Sequence, residues 1–96
     1  MAYRLTHRAR LDLTAIYALG SERFGVAAAD RYLDGFFSVA QFIGDFPEAA
    51  RELRGLTSSL RAHPYRSHII VYRIDGEDVD IVRIRHTREN WLENSY

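Results

Sequence analysis

The residues of this sequence with the most evident chemical potential are arginines and histidines in its second half. The set that stands out is Arg61, Arg83, Arg85 and His86. A metal-independent ribonuclease needs cations and a proton-transfer group around one phosphate, and these residue types supply both. The alternative interpretation is a solvated sheet face whose arginines bind a protein partner or nothing. Scattered Arg and His favour that alternative, since nothing in their spacing shows that they converge.

Other catalytic and metal-binding chemistries find less support. The chain has no Cys, which excludes disulfide scaffolds, thiolate metal sites and cysteine nucleophiles. The histidines fall on separate predicted elements without the helical i, i+4 spacing of a metal pair; they are His7, His63, His68 and His86. No glycine-rich phosphate loop and no Gly-x-Ser-x-Gly turn occurs. We therefore expect no metal and no cofactor.

Charge is balanced overall but unevenly distributed. Lys plus Arg and Asp plus Glu each number 13, and every one of these basic residues is Arg. No carboxylate occurs from Arg54 to Ile74. We expect one locally positive surface on a neutral protein, and the arginines that are candidates for partner contact there are Arg61, Arg66, Arg73, Arg83 and Arg85. A neutral chain gives no sign of direct sequence-specific binding to nucleic acid.

The elements that must position these residues are indicated by hydrophobic periodicity. The first half predicts a short strand at Tyr3–Leu5, an N-cap at Thr6, a helix to about Arg23, a stop at Gly25 and a second helix over about Val26–Phe46. The apolar stripe predicted for the first helix includes Phe24. After Pro47 we expect a turn with a short helical piece to Arg54.

The second half predicts strands. They are Leu56–Ala62, Ile69–Ile74 and Val79–Arg85, with a hairpin turn at Asp75–Asp78, and the tail from His86 to Tyr96 suits a short helix. The order β-α-α-β-β-β predicts an α+β fold in which an antiparallel sheet of about four strands packs on an N-terminal helical hairpin. Residues 1–96 are expected to form a single domain.

Apolar residues exceed what one sheet layer can cover. Residues expected opposite the core-facing stripes are Leu11, Ala15 and Ala18 on the first helix and Phe42 and Phe46 on the second. A contiguous apolar strip of this kind is typical of a groove that accepts a partner helix. These five residues are therefore candidates for partner binding.

An ordered set of segments resembles a known family. The segments are Tyr3–Thr6, Ala9–Tyr17, Phe24-Gly25, Leu60-Arg61, Pro64-Tyr65, Ser67–Arg73 and Ile81–His86. Together they are similar to the ParE branch of the RelE/ParE toxin superfamily over nearly the whole chain. Two positions depart from that pattern: Arg85 stands where an apolar residue usually precedes the His, and the segment after Phe46 lacks the usual Pro-glycine loop.

The resemblance implies a RelE/ParE-like fold and a toxin of a type II toxin–antitoxin pair. ParE-like members inhibit DNA gyrase by binding and are neutralised by a ParD-type antitoxin. RelE-like members are ribosome-dependent messenger-RNA endonucleases, and that alternative would use Arg61, Arg83 and His86. The nuclease set is incomplete here, because the chain has no Lys and no Tyr after His86 until Tyr96. A degenerate toxin that keeps only antitoxin binding is a third hypothesis.

Location follows from what the sequence lacks. No apolar run approaches the ~20 residues that a bilayer requires. Arg4, Arg8, Arg10 and Asp12 occupy the place where a signal peptide would be apolar. We therefore expect a cytoplasmic protein without membrane contact.

Overall fold

A hairpin of two long helices is defined by the residues at its ends. In the computed structural model, which describes residues 2–53 and 59–88, α1 spans His7–Phe24 and α2 spans Val26–Asp45. Thr6 Oγ1 accepts a hydrogen bond from the Ala9 N–H (3.2 Å), which caps α1. Gly25 has φ +90° and donates its N–H to Ser21 O, so the chain turns directly into α2. Both predicted helices are confirmed to within one residue or so at each end.

The strands form one five-stranded sheet in the order β1-β5-β4-β3-β2. They are β1 (Tyr3–Leu5), β2 (Arg51–Glu52), β3 (Arg61–Tyr65), β4 (His68–Asp75) and β5 (Asp78–His86). The pairs among β2, β3, β4 and β5 are antiparallel, whereas β1 pairs with β5 in parallel. The α+β class and the helical hairpin are confirmed, and the described residues form five strands rather than about four.

Two of the expected elements differ from the structure. A turn and the two-residue β2 follow Pro47, so the prediction of a short helical piece was wrong for residues 47–53. Of the strand predicted at Leu56–Ala62, the described residues confirm Arg61 and Ala62, and the strand continues to Tyr65. Pro64 is tolerated there because it lies beyond the end of β2. Residues 54–58, and the tail from residue 89 for which a helix was expected, lie outside the described residues.

The register between β4 and β5 assigns side chains to the two sheet faces. The pairing shifts between Val71, opposite Arg83, and Tyr72, opposite Ile81, so Val82 is an extra residue on β5. The face towards the helices carries the core, whose largest fully buried side chains there are Phe36, Ile43, Ile70, Tyr72, Val79 and Ile81. Because side chains alternate along a strand, His86 shares that face whereas Arg83 and Arg85 belong to the other.

In the described part of the chain, neither helix combines the length and the apolarity needed to cross a membrane.

Candidate functional site

Arg83 is a buried structural cation. Its exposed fraction is 7 %. Its Nε and Nη2 donate to the two carboxylate oxygens of Asp12 on α1 at 2.8 and 3.1 Å. The same carboxylate accepts the backbone N–H of Ile84 at 2.9 Å. The prediction that Arg83 lines an exposed face is therefore corrected.

Arg61 also has a local structural role. It lies half-buried on β3, where its Nη1 donates to Ala50 O at 2.8 Å and its Nη2 lies 3.7 Å from Glu52 Oε2. Tyr72 Oη donates to Pro47 O at 2.6 Å beside it. Arg61 and Tyr72 together hold the connection after α2 against the sheet.

The residues of the nuclease alternative do not come together. Arg61 lies opposite Tyr72, whereas His86 lies opposite His68, which in turn lies opposite Tyr65. Arg61 and His86 are therefore offset by about 13 Å along the strands, at roughly 3.3 Å per residue. Arg83 belongs to the sheet face opposite that of His86. One phosphate would not contact all three side chains in this arrangement.

The remaining candidate arginines are dispersed. Arg66 is exposed in the β3–β4 turn with φ +51°. Arg73 is exposed and lies 3.5 Å from Asp80. Arg85 is half-buried on β5.

The carboxylate beside Arg73 is shared with a second arginine. Asp80 also accepts from Arg4 at 2.8 Å, and this hydrogen bond raises the pKa of the Arg4 guanidinium. Carboxylates thus compensate part of the positive charge expected on this surface.

The predicted apolar contacts are exposed, in two separate places. Leu11 is 56 % exposed on α1, and Ala15 and Ala18 are exposed on the same helix. Phe42 and Phe46 are exposed near the end of α2, with ring centroids 5.2 Å apart. We call Phe42, Phe46 and the adjoining His63, whose ring lies 5.8 Å from Phe42, the Phe42 cluster. Whether either set binds a partner remains a prediction.

One concave surface was not predicted at the residues that form it. It is an apolar groove of about 330 Å³ along the α1–α2 hairpin, reaching the adjacent ends of β4 and β5. Its lining residues are Leu13, Ile16, Tyr17, Leu19, Gly20, Arg23, Phe24, Ala28, Ala29, Tyr32, Leu33, Ser67, His68 and His86. We refer to this surface as the hairpin groove.

Phe24 shows why sequence reasoning missed the hairpin groove. It was assigned to the core stripe of α1, but it is 74 % exposed at the end of the helix. The signal was present in Leu13, Ile16 and Gly20, which share a helix face at i, i+3 and i+7. A glycine on that face leaves space where a larger side chain would pack.

The end of the hairpin groove at the sheet is polar. Tyr32 Oη lies 2.6 Å from His68 Nδ1 and 3.3 Å from Ser67 Oγ. The rings of His68 and His86 meet edge to face at 5.3 Å. His86 Nδ1 accepts the Arg88 N–H at 3.1 Å. Residues 2–53 and 59–88 contain no group of three or more side chains that would hold a metal ion.

The chain is similar in sequence to known proteins of one family. A family model described as the ParE toxin of the type II toxin–antitoxin system parDE matches residues 3–91. Toxin ParE1 of Caulobacter vibrioides is 31 % identical over 88 residues, which cover 92 % of this chain and 91 % of that protein. Toxin ParE3 of the same organism is 33 % identical over 79 residues, covering 82 % and 79 %.

A solved structure shares the fold. It is described as a chromosomal ParDE toxin–antitoxin system from P. aeruginosa and superposes with a TM-score of 0.76, covering 90 % of this chain and 95 % of that one. The sequence identity is 19 %, so this likeness concerns the fold alone. The helical hairpin and the five-stranded sheet are thus an arrangement found in solved structures.

Proposed function

Because this chain belongs to the ParE toxin family of type II toxin–antitoxin systems, we propose that it inhibits DNA gyrase by binding to it. In this proposal a ParD-type antitoxin, the second component of such a pair, holds the toxin inactive. The toxin makes and breaks no covalent bond in the process.

The hairpin groove is the observation that carries the proposal. It combines an apolar lining with large side chains left exposed at its margin, among them Leu19 at 49 % and Phe24 at 74 %. Exposed apolar side chains gathered around a concave surface are typical of a site that a protein partner covers. An amphipathic helix of the antitoxin, laid along α1 and α2, would remove these side chains from water.

The proposed complex requires more contact than the hairpin groove provides. Stable protein interfaces bury about 1,600 Å² in total. The exposed residues Leu11, Ala15 and Ala18 on α1 and the Phe42 cluster offer additional apolar area. From Val26 to Phe42 the helix rises about 24 Å, at about 1.5 Å per residue, so the hairpin groove and the Phe42 cluster lie towards opposite ends of α2.

A gyrase supercoiling assay tests the proposed function. Purified toxin is added to gyrase and relaxed plasmid, and the antitoxin encoded by the neighbouring reading frame is then added. We expect supercoiling to be lost with toxin and restored by antitoxin. Unchanged supercoiling at a stoichiometric excess of toxin would contradict the gyrase proposal.

The same preparation must be tested for RNA cleavage on translating ribosomes. The dispersion of Arg61, Arg83 and His86 supports an absence of cleavage. Messenger cleavage that disappears in a folded Arg83→Ala variant would favour the nuclease alternative instead.

A further inference from the structure

The hairpin groove contains one permanent charge. Among the described residues that line it, Arg23 is the only Arg, and no Asp or Glu lines it. The other polar groups are hydroxyls and two imidazoles near the sheet. A guanidinium at the edge of an apolar groove makes the groove selective, because a partner that covers the guanidinium must also offer it hydrogen-bond acceptors or a negative charge.

The position of Arg23 within the toxin leaves its guanidinium available. Arg23 is exposed in the last turn of α1, where a cation also suits the helix dipole. No ion pair joins it to a carboxylate in the described ranges. Asp30 of α2 accepts a hydrogen bond from Tyr17 Oη instead, and that bond raises the pKa of the Tyr17 phenol.

We propose that Arg23 determines which antitoxin the hairpin groove accepts, by pairing with a carboxylate that interrupts the apolar face of the antitoxin helix. This inference rests on the proposed function and specifies the chemistry of the partner. A helix with Asp or Glu at the matching position gains a charge-assisted, bidentate contact. A helix that is apolar throughout, or carries Lys or Arg there, covers the guanidinium without a partner and is rejected.

Charge reversal tests the inference. The dissociation constant for the antitoxin from the neighbouring reading frame is measured for wild-type toxin, Arg23→Glu, Arg23→Gln and Arg31→Glu. Arg31 is the matched control, since it is an exposed arginine of α2 outside the hairpin groove. We expect Arg23→Glu to bind at least about tenfold more weakly, Arg23→Gln to bind less weakly than that, and Arg31→Glu to remain within about twofold of wild type.

A compensating change identifies the carboxylate. Each acidic residue in the toxin-binding region of the antitoxin is replaced by Arg in turn, and each variant is measured against Arg23→Glu toxin. We expect one of them to bind Arg23→Glu more tightly than it binds wild-type toxin. Unfolding midpoints close to wild type for each toxin variant show that the effects concern binding rather than folding.

The outcomes separate this inference from the proposed function. If wild-type toxin binds the antitoxin and Arg23→Glu binds equally well, the role of Arg23 is refuted while the toxin–antitoxin pairing stands. Equal losses in Arg23→Glu and Arg31→Glu, or the absence of any compensating variant, also refute it. If wild-type toxin does not bind the antitoxin at all, the proposed function itself fails.

Discussion

Asp12 connects the first helix to the last strand through a single carboxylate. It accepts two hydrogen bonds from Arg83 and one from the Ile84 N–H. The Asp12 side chain is 16 % exposed and that of Arg83 is 8 % exposed, so little water is available to replace either partner. Removing one member would leave a buried charge without its counterion.

We therefore expect Asp12→Ala to lower the free energy of unfolding by about 3 kcal/mol. Urea denaturation measures this loss. Asp34→Ala is the matched control, since Asp34 is an exposed acidic residue of α2 and should change stability by less than about 0.5 kcal/mol. Equal effects of the two substitutions would show that the Asp12–Arg83 pair contributes no more than an exposed charge.

Substitution by alanine is expected to have opposite effects on stability at Gly35 and at Gly20. A Cβ at Gly35 would collide with Tyr65 Oη, which donates to Tyr32 O at 2.8 Å. A Cβ at Gly20 would meet only Ala29 Cβ, at an ordinary 3.8 Å. Alanine otherwise stabilises a helix interior by about 1 kcal/mol relative to glycine.

Gly35→Ala should therefore destabilise the protein by about 1–3 kcal/mol, whereas Gly20→Ala should be neutral or stabilising. Thermal and urea unfolding of both variants check this difference. Adding Tyr65→Phe to Gly35→Ala removes the clashing hydroxyl and should recover part of the loss. A stabilised Gly35→Ala variant would contradict the close packing of Tyr65 on α2.

The sequence predicted which of these helix residues are exposed, but not the contacts that residues make with distant parts of the chain. The exposure of Leu11, Phe42 and Phe46 followed from helical periodicity and is confirmed. The Asp12–Arg83 pair joins residues far apart in the chain, so no local pattern indicates it. Phe24 was assigned to the core because periodicity gives the face of a helix, not the point at which its packing partners end.

At the scale of elements, the described sheet edges are short or covered. β1 and β2, the edge strands, have three and two residues. Beyond β2, Pro64 of β3 has no N–H to offer, and its carbonyl oxygen accepts from His63 Nδ1 at 2.8 Å. The Asp12 carboxylate occupies the Ile84 N–H of β5. These features discourage strand addition and leave helix-in-groove docking as the favoured mode.

The hydrogen bond from Tyr72 to the connection after α2 should make the protein less stable to unfolding at alkaline pH. Burial raises the pKa of the Tyr72 phenol, which donates to Pro47 O. In the unfolded chain the phenol ionises near pH 10. The neutral phenol thus contributes its full stability below about pH 10, and this contribution decreases as the pH rises towards the higher pKa of the folded state.

Urea denaturation between pH 9 and pH 11 should show a falling free energy of unfolding in wild type and a shallower fall in Tyr72→Phe. Absorbance of the phenolate reports whether ionisation accompanies unfolding. The same slope in both proteins would show that Tyr72 does not couple ionisation to folding.

The sequence predicted the helices better than the strands, for physical reasons. Thr6, Gly25 and Pro47 mark the helix ends by local capping and steric effects, and the structure places the ends there. β2 has only two residues, too few for any period, and β3 contains a proline that local rules place outside strands. The parallel pairing of β1 with β5 depends on the whole chain path.

At the scale of the whole molecule, the hairpin groove can be closed by one substitution. Ala28 lines it, whereas the adjacent Ala27 is exposed and does not. We expect Ala28→Trp to weaken antitoxin binding by at least about tenfold by filling the space that the partner helix would occupy. Ala27→Trp, the matched control, should bind like wild type in calorimetric titrations. Wild-type affinity in Ala28→Trp would place the antitoxin elsewhere.

The central question for the whole molecule is whether it acts by occupancy or by turnover. Gyrase at fixed concentration is titrated with toxin, and the supercoiling rate is followed over time at each ratio. Inhibition by binding predicts a loss that approaches completion near stoichiometric toxin, does not progress with time and is reversed by antitoxin. Progressive inactivation by toxin far below the gyrase concentration, not reversed by antitoxin, would contradict a binding toxin and indicate a catalyst.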